Sequence, residues 1–226
     1  MPTLADQADS TSQHSDAESD RSYRNRTRSV SPDTVRENYE RIKAELGSKV
    51  TIVAATKYVD VEELAALAEA GIEVVGENRA QDLEAKHARH GDSFRWHFIG
   101  HLQSRKAKTV NDVCELCHSL ASESAARRLT IPALVEVNLS GEETKSGIPE
   151  SELEDFLALY GDVRGLMTMP PEADDPEASR PYFKRLRELA ERYDLRELSM
   201  GTSQDYLVAA DEGATMVRLG SILYGR

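Results

Sequence analysis

The chain has 226 residues, 39% of them hydrophobic, and a formal net charge of -12 at neutral pH. This length suits one domain, and the acidic balance argues against a general nucleic-acid-binding protein, because phosphate binding requires clustered Lys and Arg. The sequence shows neither an apolar run of membrane-spanning length nor a hydrophobic leader, so we expect a cytoplasmic protein without a membrane partner.

The first thirty residues differ in composition from the rest of the chain. Residues 1–30 are rich in Ser, Asp and Arg and hold few large apolar side chains. Such a segment cannot bury enough apolar surface to offset the entropy of ordering, which predicts a disordered tail. The folded domain is predicted over 31–226. It opens with a helix that has Ser31 as its N-cap and ends before Gly47.

Eight strand-like apolar runs follow this helix, and most are separated by helical patterns. They lie at about residues 50–56, 72–76, 95–99, 113–118, 134–139, 164–169, 196–201 and 215–219. Alternating strands and helices predict a parallel sheet, and eight strands close a single (β/α)8 TIM barrel; an open doubly wound sheet is the alternative. The fourth crossover, 119–132, is short, so its helix should be short.

A lysine follows the first of these runs, V-T-I-V-A-A-T-K. Catalytic and binding groups of a barrel gather at the carboxyl ends of its strands. Partial desolvation there lowers the pKa of a lysine, and the neutral amine of Lys57 could attack an aldehyde to form a Schiff base. Taken alone, Lys57 is more simply interpreted as a solvated strand end.

Two glycine turns follow the seventh and eighth runs and favour the chemical interpretation. They are S-M-G-T-S at 199–203 and R-L-G-S at 218–221. Barrels often bind phosphate in these loops, through free N–H groups at a helix start. A phosphate site facing a lysine indicates a phosphate-bearing aldehyde, and pyridoxal 5'-phosphate (PLP) is the obvious candidate.

Several long motifs then support a family resemblance. From about residue 35 to 226 the sequence resembles the pyridoxal phosphate homeostasis proteins, whose barrel is like the N-terminal barrel of alanine racemase. The motifs are V-A-A-T-K-Y, V-G-E-N-R-A-Q-D-L, W-H-F-I-G-H-L-Q-S-R-K, V-E-V-N-L-S-G-E-E-T-K-S-G, G-L-M-T-M-P-P, L-S-M-G-T-S-Q-D and M-V-R-L-G-S-I-L-Y-G.

The resemblance implies a set of PLP-binding residues and no catalytic or metal-binding ones. Lys57 would carry PLP as a covalent aldimine, Asn78 and His97 would lie beside the cofactor, and Arg218 would face the pyridine nitrogen. The phosphate would be held by Ser199, Gly201, Gly220 and Ser221, and Met167 and Met200 complete the predicted cofactor-binding set.

Arg218 bears on whether the protein is an enzyme. An arginine only donates hydrogen bonds, so beside the ring nitrogen it disfavours pyridinium and weakens the cofactor as an electron sink. Without the resemblance, Arg218 could instead form an ion pair that closes the barrel.

Cys114 and Cys117 form a C-x-x-C pattern, a spacing used by zinc and redox sites. They fall in the fourth strand-like run, where residues three apart point to opposite faces, and no second pair completes a zinc site. We interpret them as buried thiols.

Three functions remain open. The first is a non-enzymatic, reversible PLP carrier or buffer, a monomer that supplies apo forms of PLP-dependent enzymes. The second is a PLP-dependent, racemase-like enzyme, and the third is a Schiff-base aldolase without a cofactor. The sequence stops at L-Y-G-R after the eighth run, which we interpret as absence of the second alanine racemase domain and as favouring the carrier.

Overall fold

The computed structural model describes residues 29–142 and 144–225. The predicted tail therefore lies outside the described residues except for its last two positions, and it stays a prediction. Of these two, Val30 is already part of the core: its side chain is buried and its N–H donates to Glu63 Oε1 over 2.9 Å.

The described residues form alternating strands and helices, numbered here in chain order. The β-strands are β1 Thr51–Ala55, β2 Val74–Glu77, β3 Arg95–Phe98, β4 Leu116–Leu120, β5 Ala133–Asn138, β6 Ile148–Pro149, β7 Val163–Met167, β8 Glu197–Ser199 and β9 Met216–Leu219. The α-helices are α1 Pro32–Leu46, α2 Leu64–Glu69, α3 Ala80–His90, α4 Ala107–Val113, α5 Glu123–Ala126, α6 Leu153–Leu159, α7 Arg180–Arg192, α8 Tyr206–Asp211 and α9 Ser221–Tyr224.

Eight of the strands close into a parallel barrel. The sheet order is β4-β3-β2-β1-β9-β8-β7-β5, and an additional pairing of β4 with β5 completes the ring. Strand β6 has two residues and attaches to β5 outside this ring. The predicted TIM barrel is thus confirmed, and the open doubly wound sheet is wrong.

Strand residues alternate between two apolar layers, as expected for strands covered on both faces. An outer layer, which includes Ile52 and Ala54, packs between the strands and the helices. The inner layer fills the barrel, and its buried members are Val53, Val74, Leu116, Leu134, Met167 and Met216.

Predictions for helix ends and helix length were confirmed only in part. The first helix ends before Gly47 as expected, and α5 has four residues, as its short crossover predicted. Ser31 is the N-cap residue of α1, but its side chain makes no capping hydrogen bond.

The fourth strand begins later than predicted. Cys114 directly follows helix α4 and is not in a strand, whereas Cys117 lies in β4. The prediction for Cys114 was wrong because Val110 and Val113 continue a helical pattern up to it. Both thiols are free and buried, as expected.

Within the part of the chain that the structure describes, no helix is long and apolar enough to cross a membrane.

Candidate functional site

A cavity of about 310 Å³ opens at the carboxyl ends of the barrel strands. Three of the predicted site residues, Asn78, Met167 and Arg218, line it. The other lining residues are Ala55, Ile99, Gly100, His101, Glu136, Ser146, Met169 and Thr202. This is the end of a barrel at which ligands and catalytic groups are found.

Lys57 lies in the turn that follows β1. The strand ends at Ala55, one residue earlier than the predicted run of 50–56. Ala55 lines the cavity, whereas Lys57 is not among the lining residues, so its contact with a ligand there stays a prediction. The Lys57 side chain is half-buried, and its Nζ lies 4.8 Å from the ring centroid of Tyr58.

The residue before Lys57 is fixed by a buried cluster between β2 and α3. The Thr56 N–H donates to the carbonyl of Gly76 over 2.9 Å, and its hydroxyl donates to Glu77 Oε2 over 2.8 Å. Lys86 Nζ donates to the Thr56 carbonyl over 2.7 Å and forms an ion pair with Glu77 Oε2 at 2.5 Å. Every polar group of Thr56, the residue that leads into Lys57, is therefore hydrogen-bonded.

Arg218 places a buried positive charge at the floor of the cavity. Its side chain donates to Ser199 Oγ over 2.5 Å, to the Thr168 carbonyl over 3.1 Å and to Met169 Sδ over 2.8 Å. Burial lowers the pKa of the Arg218 guanidinium to about 10, so it stays protonated at neutral pH. No carboxylate of the described residues forms an ion pair with it, so the simple alternative of an ion pair closing the barrel is wrong.

A chain of hydrogen bonds runs from Arg218 into the barrel interior. Ser199 Oγ lies 2.8 Å from His118 Nδ1, and His118 Nε2 lies 2.9 Å from His97 Nδ1. Both imidazoles are buried, and burial lowers the pKa of His97 to about 4 and that of His118 well below its usual value. Both rings are consequently neutral at physiological pH.

Glu136 is a carboxylate in the cavity that sequence reasoning missed. It lies on β5, is buried, and accepts a hydrogen bond from Ser146 Oγ. Burial raises the pKa of Glu136, an effect that the Ser146 hydrogen bond and Arg218 oppose. An acidic residue inside the apolar run A-L-V-E-V-N was the signal that could have identified it.

The two glycine loops lie beside each other at the mouth. The Gly220 N–H donates to Ser203 Oγ over 3.3 Å, which joins the loop after β9 to the loop after β8. Gly201 has φ +92°, and a Cβ there would lie 2.6 Å from Ala209 Cβ, so only glycine fits. Within the described residues, the N–H groups of Ser221 and Ile222 have no protein acceptor.

The remaining predicted site residues lie away from the cavity wall. The hydroxyl of Ser199 is bonded inside the barrel, as described above, and Met200 packs in the outer apolar layer. His97 lies on β3, two positions before the cavity-lining residue Ile99. It is therefore deeper in the barrel than the cavity wall. Direct contacts of these three residues with a cofactor stay predictions.

No group of three or more metal-ligating side chains occurs among the residues that the structure describes. His97 and His101 lie on opposite sides of the end of β3.

Comparison with known proteins gives consistent matches. Residues 30–226 match the family described as the N-terminal domain of alanine racemase. Two curated relatives are both named pyridoxal phosphate homeostasis protein. That of Aquifex aeolicus is 40% identical over 195 residues, covering 77% of this chain and 86% of the relative. That of Vibrio cholerae is 32% identical over 226 residues, covering 85% and 96%.

Solved structures agree in fold. PipY of Synechococcus elongatus, solved with PLP bound, superposes with a TM-score of 0.75 at 29% identity, over 84% of this chain and all of PipY. The arginine decarboxylase of Paramecium bursaria Chlorella virus gives a TM-score of 0.66 at 15% identity, over 86% of this chain and 64% of that enzyme. The second similarity concerns the barrel fold alone.

Proposed function

Since the chain belongs to the pyridoxal phosphate homeostasis proteins, within the alanine racemase N-terminal domain family, we propose that it binds PLP at the mouth of its barrel and maintains the intracellular supply of this cofactor. The observation that carries the proposal is Arg218, a buried cation beside the cavity with no carboxylate partner among the described residues. Its three acceptors, a hydroxyl, a carbonyl and a thioether, are all neutral, and a pyridine nitrogen in the cavity would be a further acceptor for this buried charge.

The residues around the cavity fit the three polar parts of PLP. Lys57 would hold the cofactor covalently through its aldehyde, and Arg218 would donate to the ring nitrogen. The phosphate would bind the adjoining loops at Gly201 and Gly220, where the N–H groups of Ser221 and Ile222 have no acceptor within the described chain. A phosphate gains from such N–H groups at the start of a helix.

When bound, the cofactor supplies an aldehyde that can pass reversibly between amines. The chain's own contribution is to hold the amine of Lys57 and to keep Arg218 protonated. Because the pKa of Arg218 remains near 10 even when buried, the guanidinium donates and does not accept a proton. It therefore disfavours protonation of the ring nitrogen, and carbanion chemistry at the site would be weak.

We accordingly favour a non-catalytic carrier in the cytoplasm, a monomer that gives PLP to apo-enzymes. A racemase-like enzyme is the second candidate, and Glu136 is the observation that favours it. This carboxylate is buried in the same cavity and has a raised pKa, so it could move a proton. The two functions differ in turnover and not in cofactor binding.

Absorbance of the purified protein tests binding. We expect a band in the violet, and borohydride reduction followed by peptide mapping should place the cofactor on Lys57. The Lys57→Ala variant should lose the band and keep weaker, non-covalent binding, while Lys184→Ala, at an exposed lysine on α7, should behave as wild type. An adduct mapped to another lysine would reject the assignment.

Two independent assays distinguish carrier from enzyme. The carrier should transfer PLP to an apo-enzyme and show negligible racemisation of common L-amino acids. Racemisation at the usual enzymatic rates of about 1 to 1000 per second, lost in Lys57→Ala, would establish the enzyme instead.

A further inference from the structure

A second cavity, of about 340 Å³, opens at the opposite end of the barrel. Its lining includes the first residues of β1, β3 and β4, which are Thr51, Arg95 and Leu116, so it lies at the amino ends of the strands. The remaining lining residues are Lys49, His97, Glu115, Pro132, Arg164, Glu197, Thr215 and Met216. The function proposed above makes no use of this cavity.

The hydrogen-bond chain through the barrel has a fixed direction. The guanidinium of Arg218 can only donate, so Ser199 Oγ accepts from it. The buried Ser199 hydroxyl has no other acceptor among the described residues, so we assign its proton to His118 Nδ1, which is then the unprotonated nitrogen of that neutral ring. His118 therefore carries its proton on Nε2 and donates it to His97 Nδ1.

The last ring of the chain is left with a donor that has no acceptor. Because His97 Nδ1 accepts and the ring is neutral, its proton is on Nε2. The side chain of His97 is 3% exposed, and no acceptor for Nε2 occurs among the described residues. The two ring nitrogens point in diverging directions, and His97, the buried third residue of β3, lines the second cavity. A buried donor in this state needs an acceptor in that cavity.

Cationic side chains also line this cavity. Arg95 pairs with Glu115 at 2.8 Å and Arg164 pairs with Asp162 at 2.9 Å, and in both pairs the arginine uses Nε. Their terminal NH2 groups have no partner within the described chain. Lys49 is the third cation of the lining. Glu197 is its second carboxylate, besides Glu115. The lining therefore holds three cationic side chains and two carboxylates.

We propose that the cavity at the amino ends of the strands binds a small oxyanion, a phosphate or a carboxylate. An oxygen of the anion accepts the His97 Nε2 proton, and the NH2 groups of Arg95 and Arg164 and the ammonium of Lys49 surround the rest. This cavity shares no lining residue with the mouth cavity, although the hydrogen-bond chain from His97 to Arg218 connects the two.

The test monitors anion binding through His97. Inorganic phosphate or acetate is titrated into the full-length protein while the 1H–15N signal of His97 Nε2 is recorded, assigned by its loss in His97→Gln. We expect one saturable shift of this signal, and the anion of higher affinity identifies the preferred oxyanion. The Lys49→Ala/Arg164→Ala variant should bind at least about tenfold more weakly, the effect of about 1.4 kcal/mol.

The matched control is Arg89→Ala/Lys184→Ala, which removes the same charge from exposed positions on α3 and α7. Because phosphate could also bind the mouth, the comparison of the two double variants is decisive. If solvent exchange removes the His97 signal, the phosphate-dependent rise in the unfolding midpoint is compared instead. Equal affinity, or an equal rise, in the two double variants would overturn the proposal, and so would a proton found on Nδ1 of His97.

Discussion

The buried ion pair beneath the lysine turn allows a quantitative prediction. In the pair of Lys86 and Glu77, the side chains are only 5% and 0% exposed, and the lysine also bonds the Thr56 carbonyl. Replacing Lys86 with Met would leave the Glu77 charge buried without its cation. Loss of one partner of a buried pair costs about 3–5 kcal/mol of unfolding free energy.

Removal of both charges should cost much less than removal of one. In Glu77→Gln/Lys86→Met, no charge is left buried. The new amide oxygen could still accept from the Asn78 N–H, which in the wild type bonds Glu77 Oε1 over 2.8 Å. We therefore expect more than half of the lost stability to return. At about 2–4 °C per kcal/mol for a chain of this size, the single variant should melt roughly 6–20 °C below wild type.

A double-mutant cycle measures this dependence. It uses urea unfolding and thermal melting of the wild type, both single variants and the double variant. Lys108→Met, which breaks an exposed pair with Asp112, is the control and should leave the midpoint unchanged. A single-variant loss under about 1 kcal/mol, or a double variant less stable than Lys86→Met, would show that the two charges do not depend on each other as a buried pair must.

The remaining predictions concern strain, protonation and thiol reactivity. Gly201→Ala should lose about 2–4 kcal/mol from its positive φ and the close methyl contact, whereas Gly220→Ala, whose Cβ would have 3.8 Å of room, should unfold near the wild-type midpoint. The pKa of His97 is about 4 when folded and near 6.5 when unfolded, so the unfolded chain binds the extra proton between these values. Stability should thus fall by roughly 3 kcal/mol as the pH drops from 6.5 to 4, and His97→Gln should flatten this slope in urea titrations. Burial raises the pKa of Cys117 to about 11 and that of Cys114 higher still, so Ellman's reagent at pH 8 should react with neither until the protein is denatured; rapid labelling of native protein would contradict this.

The sequence was sufficient for the barrel because its strands are covered on both faces. Each appears as an apolar run, and eight runs alternating with helical patterns leave few topologies. The start of β4 was misplaced, since V-N-D-V-C-E-L-C fits a helix end as well as a strand start. Only contacts between distant segments decide such a case.

The site was less accessible to sequence reasoning. Glycine turns and Lys57 have local signatures, but Glu136 and His118 are single polar residues inside apolar runs, and their meaning depends on which strands face them. The bond from Ser199 to Arg218 likewise joins residues on two strands. The family resemblance implied a contact of Ser199 with phosphate, which stays a prediction, and it gave no sign that the Ser199 hydroxyl accepts from Arg218.

The closure of the barrel also has a consequence for the nascent chain. Strand β1 pairs with β9, with Thr51 beside Met216. During synthesis β1 therefore lacks this neighbour until β9, the last strand of the barrel, has been made. At synthesis rates of about 5–20 residues per second, this wait is roughly 10–30 s. During it, one edge of β1 has no neighbour, and exposed apolar edges pair readily with other chains. Arg218 lies on the strand that covers this edge, so the buried charge of the mouth cavity and the protection of the edge are supplied by the same strand.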